Sequence, residues 1–187
     1  MPLRQATLLL LFWFCCAPAQ AAAAADIDIV VDYRDGRYSG SLRMQVPVQP
    51  ATALAVLTDF DHMAEFIPNL TASRITLRNG NVLRVTQEGK ADFGPFSQRF
   101  ISERRVEILP EGRVLARALS GSVKSMESEL RLHPAGPGAT LVEYRIVSVP
   151  DFWVPSSIGT RFLHHELEEQ FTAIAREMER REARGGR

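Results

Sequence analysis

The sequence predicts an α+β domain in which a curved antiparallel β-sheet wraps around a long C-terminal helix, with two short helices after the first strands. Three observations predict this class. Two extended runs flank Asp35-Gly36, further extended runs follow at intervals of about ten residues, and the chain ends in one long amphipathic segment. Because that helix can bury its apolar side only against the sheet, we expect an interior space between the two.

The folded part of the chain begins with a predicted β-hairpin. Extended runs at 27–33 and 38–46 are separated by Asp35-Gly36, a strong signal for a two-residue turn. From Leu42 onward the second run alternates apolar and polar residues. This alternation predicts one buried and one solvent-facing side of the strand.

Two short helices are predicted directly after the hairpin. Pro50 suits the first turn of a helix, and apolar residues follow it at helical spacing. A second short helix is predicted over 62–67, with Asp59 or Asp61 as its N-terminal cap. Pro68 ends this helix, because proline cannot continue it.

Six further strands are predicted in the middle of the chain. They lie near 70–78, 81–90, 96–109, 112–120, 125–133 and 139–149. The breaks between them carry turn residues, such as Asn79-Gly80 and the Pro- and Gly-rich stretch 134–138. Short strands at this regular spacing indicate a meandering antiparallel sheet.

The last predicted element is a long helix over 156–182. Its apolar residues recur every three or four positions and form one stripe: Ile158, Phe162, Leu163, Leu167, Phe171, Ile174 and Met178. Charged residues, among them Glu166, lie off this stripe and are expected in solvent. Residues 183–187 are predicted to be a frayed tail.

Residues 1–25 have the features of a secretory signal peptide. Arg4 provides a positive charge, and the apolar run 8–16 is too short to span a bilayer. We therefore predict an exported protein of the bacterial periplasm; a retained membrane anchor is the alternative. Both cysteines, Cys15 and Cys16, lie in this segment, so the mature chain has no thiol for a disulfide, a nucleophile or a metal site.

The composition supports one globular domain and excludes some partners. The chain is 45% hydrophobic, which is enough to build a core in a protein of 187 residues. Its 22 basic residues balance 22 acidic ones, so the net charge is zero. A chain without a basic field is not expected to bind nucleic acid.

The segment 46–69 carries a resemblance to a known family. Its matching residues are Asp59, Phe60, Met63, Phe66 and Pro68, in the pattern D-[FY]-x-x-[MY]-x-x-[FW]-x-P that closes one end of the cavity in that family. The order of elements over about residues 38–180 is similar to the helix-grip fold of the START-like superfamily. Within it, the chain most resembles the coenzyme Q-binding and polyketide cyclase/dehydrase branch.

The resemblance implies a ligand-binding domain over 37–182, preceded by an extension strand and turn at 26–36. The expected ligand is a hydrophobic small molecule, quinone- or lipid-like, held between the sheet and the last helix. The predicted cavity residues are Phe60, Phe66, Phe96, Phe100, Arg104, Tyr144, Trp153 and Phe162.

Two of these cavity residues have alternative interpretations. Arg104 shares a strand face with Phe100 by alternation, which would let it orient a ligand carbonyl or acid. The alternative is an arginine extended along the sheet edge toward solvent. Trp153 lies with Phe152 in a loop bounded by prolines. Two large aromatic residues in such a loop indicate an entrance lid, a transient contact with a membrane surface, or an anchor in the core.

No catalytic residue, metal or cofactor is predicted. The sequence lacks a Gly-x-Ser-x-Gly turn and a glycine-rich phosphate loop. His164 and His165 each precede a glutamate by four residues, at Glu168 and Glu169, but a third ligand is missing and a solvent-facing helix side is favoured. A carrier is therefore favoured over an enzyme. Two alternatives stay open: a cyclase/dehydrase-like enzyme acting on a polyketide-like substrate, and a periplasmic interaction module.

Overall fold

The computed structural model describes residues 26–93, 96–151 and 153–185. Its strands are β1 (Ile27–Arg34), β2 (Arg37–Val46), β3 (Leu70–Asn79), β4 (Val82–Phe93), β5 (Phe96–Leu109), β6 (Arg113–Gly121), β7 (Val123–Pro134) and β8 (Thr140–Pro150). Its α-helices are α1 (Pro50–Leu57) and α2 (Ser156–Gly185), with a 3-10 helix at Phe60–Glu65 between α1 and β3. The predicted signal peptide lies outside the described residues.

All eight strands form one antiparallel sheet in the order β1-β2-β8-β7-β6-β5-β4-β3. Strands β3 to β7 each pair with the next strand along the chain, as the predicted meander requires. Strand β2 pairs with β8 in addition, from Tyr38 to Val46. The predicted class, a curved antiparallel sheet with a long C-terminal helix, is confirmed.

The first hairpin forms where the turn residues predict it. Asp35 and Gly36 both have positive φ, at 50° and 78°. Two successive residues in this conformation make the turn whose twist matches that of the flanking strands. Strand β1 is thereby folded back along β2 and becomes one edge of the sheet.

The second short helix differs from its prediction. It is a 3-10 helix at Phe60–Glu65 rather than an α-helix over 62–67. Phe60 and Met63 stand three residues apart, and side chains at this spacing share one face of a 3-10 helix. Both are buried, so the helix begins where Phe60 enters the core. Asp59 precedes it without a side-chain capping bond, because its carboxylate is held in two ion pairs.

Helix α2 packs its apolar stripe against β1, β2 and α1. The stripe members from Leu167 to Met178 are buried, whereas Ile158 near the start of the helix is 36% exposed. The helix approaches β2 closely at Gly40, where the side chain of Leu167 fills the place that a Cβ would take. The helix continues to Gly185, past the predicted end at 182. Neither α-helix in the described part of the chain is long and apolar enough to cross a membrane.

Small side chains cross the middle of the inner face of the sheet. Ala116 on β6 lies opposite Ser128 on β7, and Ser128 lies opposite Ile146 on β8. Ala118 is the β6 partner of Arg104 on β5, next to a bulge in the β5–β6 ladder. All five residues are half-buried. A row of small residues leaves space beneath α2 that larger side chains would fill.

Candidate functional site

Several inner-face side chains keep accessible surface although the sheet and α2 enclose them. Phe100, Arg104 and Tyr144 are half-buried, whereas Val85 and Val106 on the same face are buried completely. Burial is nevertheless the largest cause of the shifted pKa of both Arg104 and Tyr144. We infer that the surface left on these side chains borders an interior space rather than bulk water.

Arg104 stands in this space within a chain of polar contacts. Its Nη2 donates to Oε1 of Gln87. Gln87 Nε2 in turn donates to Ser73 Oγ at 3.0 Å and lies 3.4 Å from the sulfur of Met63. Among the described residues, the buried Nε of Arg104 has no hydrogen-bond partner. Burial lowers the pKa of Arg104, and the electrostatic interaction with Tyr144 opposes this.

Tyr144 on β8 carries a phenol on the same inner face as the arginine, three strands away in the sheet. Ser128 on β7 hydrogen bonds with it, and the ring of Phe171 on α2 packs against the tyrosine ring at a centroid distance of 5.0 Å. Burial raises the pKa of Tyr144 despite the opposing effects of Ser128 and of the charge of Arg104. The phenol is therefore protonated at neutral pH and able to donate a hydrogen bond.

A second polar cluster joins the start of β3 to α2. Asn69 Nδ2 donates to Oε2 of Glu166, and Gln170 Nε2 lies 3.4 Å from the same oxygen. The prediction that Glu166 faces solvent is wrong, because this contact with Asn69 buries it. In the described structure, Asn69 Oδ1 and Glu166 Oε1 are both buried acceptors without a donor. Burial raises the pKa of Glu166, and a proton on Glu166 would supply a missing donor.

Glu166→Gln tests this protonation. Because the folded-state pKa is raised above the unfolded value, the contribution of Glu166 to stability falls as pH rises from about 4.5 through the folded-state pKa. A neutral glutamine avoids this loss and keeps an acceptor for Asn69. We expect E166Q to be more stable than the wild type above about pH 7, with the difference shrinking toward about pH 4. Urea unfolding at several pH values measures this.

Glu177→Gln is the matched control, since Glu177 is also a buried glutamate on α2. Burial alone would raise the pKa of Glu177, but hydrogen bonds from Arg180 and Arg181 outweigh it and lower the pKa. Its stabilising contribution is therefore present above about pH 4.5 and lost as pH falls. E177Q is expected to be less stable than the wild type at neutral pH, and equal effects of the two substitutions would contradict the assignment.

The comparisons place this architecture in a family. A family model described as "Polyketide cyclase / dehydrase and lipid transport" matches residues 39–179. The chain belongs to the polyketide cyclase/dehydrase and lipid transport family. The match runs from β2 through most of α2, so it contains the elements that frame the interior space. No curated protein matches the sequence.

Solved structures of the START superfamily share the fold of this family member. A START superfamily protein from Mycobacterium smegmatis has a TM-score of 0.68 at 16% identity, covering 76% of this chain and 97% of its own. A STAR-related lipid transfer protein from Xanthomonas axonopodis has a TM-score of 0.67 at 14% identity, covering 86% and 97%. An aromatase/cyclase from a Streptomyces species has a TM-score of 0.64 at 15% identity, covering 83% and 96%. These matches confirm the START-like, helix-grip fold. The coenzyme Q-binding half of the resemblance stays a prediction.

Three of the predicted cavity residues lie on the inner face within this family fold. Arg104 and Tyr144 lie close enough to interact electrostatically near the middle of the sheet. Phe100 lies toward one end, where its ring covers Gly89 beside the backbone of Asn69. A side chain on Gly89 would collide with both, so the glycine lets the phenylalanine ring lie flat on the sheet.

The other predicted cavity residues differ in burial. Phe60 is part of the buried core, and Phe66 is half-buried with the Arg181 guanidinium 5.9 Å from its ring centre. Phe162 is half-buried on α2. Trp153 is 84% exposed, so it does not line the interior space, because its loop holds it outside the sheet. The side chain of Phe96, like Phe152, lies outside the described residues.

The histidines on α2 face outward. His164 Nδ1 and Glu168 Oε2 are 3.9 Å apart, and both side chains are largely in solvent. The described residues contain no group of three or more side chains placed to hold a metal ion. Open grooves run along both sides of α2, one beside Val31 and one beside Pro68, and neither is lined by a predicted cavity residue.

Sequence reasoning missed three polar residues of the interior: Gln87, Ser128 and Glu166. Gln87 and Ser128 each occupy an apolar-facing position of an alternating strand. A polar residue in such a position was the available signal, since buried polar groups need partners. Glu166 left no comparable signal, because its partner Asn69 is 97 residues away in sequence.

Proposed function

We propose that this protein binds a hydrophobic small molecule, quinone- or lipid-like, between the inner face of the sheet and α2. The observation that carries the proposal is the set of half-buried inner-face side chains, Phe100, Tyr144 and Ile146, next to the row of small residues. They present apolar surface to an enclosed space, where a ligand of matching chemistry is stabilised by about 25 cal/mol per Å² buried. The family and its lipid-transfer neighbour support this class of ligand.

The periplasm is the compartment that we propose for this activity. The signal-like segment 1–25 supports export. Trp153 is exposed in the loop between β8 and α2, and an exposed tryptophan suits a transient contact with a membrane surface during ligand transfer. Cell fractionation tests the proposed compartment, and binding to lipid vesicles tests the membrane contact of Trp153.

A cyclase/dehydrase-like reaction is the second candidate function. The observation that favours it is the phenol of Tyr144, which stays protonated at neutral pH on the same inner face as the guanidinium of Arg104. A protonated phenol is able to act as a general acid toward a ligand carbonyl. The aromatase/cyclase neighbour shares the fold.

Titration with phenylnaphthylamine, a neutral apolar fluorescent dye, tests the binding function. We expect saturable binding by the mature chain and a loss of about 10-fold or more in affinity for Phe100→Glu, because that variant puts a charge among apolar groups. Ile101→Glu is the matched control: Ile101 is the next residue, faces outward and is 55% exposed. It should bind like the wild type.

Two results would contradict the proposal. One is the absence of saturable dye binding by the folded wild-type protein. The other is equal affinity for Phe100→Glu, Ile101→Glu and the wild type. Because a charge at Phe100 also threatens folding, Ala116→Phe provides a second variant that fills the space with an apolar ring. It should also weaken dye binding while circular dichroism remains native.

A further inference from the structure

Arg104 differs from the ion-paired groups that the structure holds in or near its interior. Glu177 is paired with Arg180 and Arg181, and Arg181 is paired with Asp59 as well. Arg104 has no carboxylate within salt-bridge distance anywhere in the described ranges. The acceptor that it is shown to use is the neutral amide oxygen of Gln87.

An arginine without a carboxylate partner lowers the stability of the fold in this position. A guanidinium stays charged in proteins and carries five N–H donors, and buried charges are stable only when they are paired and hydrogen bonded. The Nε of Arg104 is buried without a partner among the residues described. The protein therefore holds a cation with a buried, unused donor on the inner face of the sheet.

The arginine is also held in place. Gln87 fixes one side of the guanidinium and is itself anchored to Ser73 and Met63. Across the inner face, Tyr144 interacts electrostatically with Arg104. A guanidinium that is oriented before a ligand arrives offers fixed donors to one anionic oxygen group.

We propose that the ligand is an apolar molecule with a single carboxylate, such as a long-chain monocarboxylic acid, and that its carboxylate pairs with Arg104. The apolar chain then lies along the inner face toward Phe100. This inference rests on the proposed function and adds the chemistry of the ligand's polar end. A guanidinium matches a carboxylate with two parallel hydrogen bonds, which a neutral ester or quinone oxygen does not offer.

Displacement of phenylnaphthylamine by lauric acid and by methyl laurate tests the proposal at about pH 8, where the acid is ionised. The two probes have the same chain and differ in charge. We expect the wild type to bind lauric acid at least about 10-fold more tightly than its ester. Arg104→Met should abolish this preference, because it weakens the binding of lauric acid far more than the binding of the ester. Arg104→Lys should keep part of the preference.

The outcomes separate this inference from the proposed function. If the dye binds and is displaced equally by acid and ester, the carboxylate assignment is overturned and binding of neutral molecules stands. If Arg104→Met keeps the full preference for the acid, another cation is responsible and the assignment is also wrong. If neither the dye nor either probe binds the folded wild type, the proposed function fails and this inference fails with it. Native circular dichroism and dye binding by Arg104→Met exclude misfolding as the cause of lost preference.

Discussion

Replacing Leu167 by alanine is expected to lower the free energy of unfolding by about 2–5 kcal/mol. Leu167 is 4% exposed, and its side chain lies over Gly40 on β2, where α2 packs closely on the sheet. Truncation removes this contact and leaves a cavity, because the glycine offers no side chain to fill it. Urea unfolding followed by circular dichroism measures the loss.

Ile158→Ala is the matched control on the same helix. Ile158 belongs to the predicted stripe but is 36% exposed, so its truncation should cost less than about 0.5 kcal/mol. The loss of stability for Phe162→Ala should fall between those for Leu167→Ala and Ile158→Ala, since Phe162 is half-buried. Equal losses for Leu167 and Ile158 would show that α2 is not fixed on the sheet as described.

Arg104→Met is expected to raise the stability of the ligand-free protein by about 1–3 kcal/mol. The substitution removes a buried cation that has no carboxylate partner in the described structure and replaces it with an apolar chain of similar length. The Gln87 amide loses its guanidinium donor but keeps Ser73 as a partner for its own NH₂ group. Thermal unfolding without ligand measures the gain.

Arg105→Met is the control for this gain. Arg105 is the next residue, lies on the other face of β5 and forms an ion pair with Glu107 at 2.7 Å. Its removal should leave stability unchanged or slightly lower, within about 1 kcal/mol. A loss of stability in Arg104→Met as large as that of a core truncation would mean that Arg104 has a structural role in the ligand-free protein.

Local patterns in the sequence were enough to predict the strands and the two α-helices. Alternation along β2 and the turn at Asp35-Gly36 predicted a hairpin, and both depend only on neighbouring residues. Alternation also placed Arg104 on the face of Phe100 correctly, because the irregularity beside it takes its extra residue from β6. Prediction failed where residues distant in the sequence determine whether a side chain is buried. Glu166 is an example, because its hydrogen bond with Asn69 buries it.

The site was less predictable than the fold for a related reason. Trp153 lies in a loop, where no periodicity shows which way a side chain points, and it is exposed. Phe60 is an aromatic residue in a family motif, but whether it borders a space or fills the core depends on neighbours from several elements. Only packing in three dimensions separates a cavity wall from a core position.

The pairing of β2 with β8 also constrains the order in which the molecule folds. The partner of Leu42 is Tyr144, about one hundred residues later in the sequence. The inner edge of the first hairpin therefore stays unpaired until nearly the whole chain has been made. During synthesis, the meander from β3 to β8 is able to assemble by contacts between successive strands, whereas β2 is left with an open edge. Closing such a long-range pair is slow because the entropy of a large loop must be overcome first. The last strand and helix therefore complete the fold together.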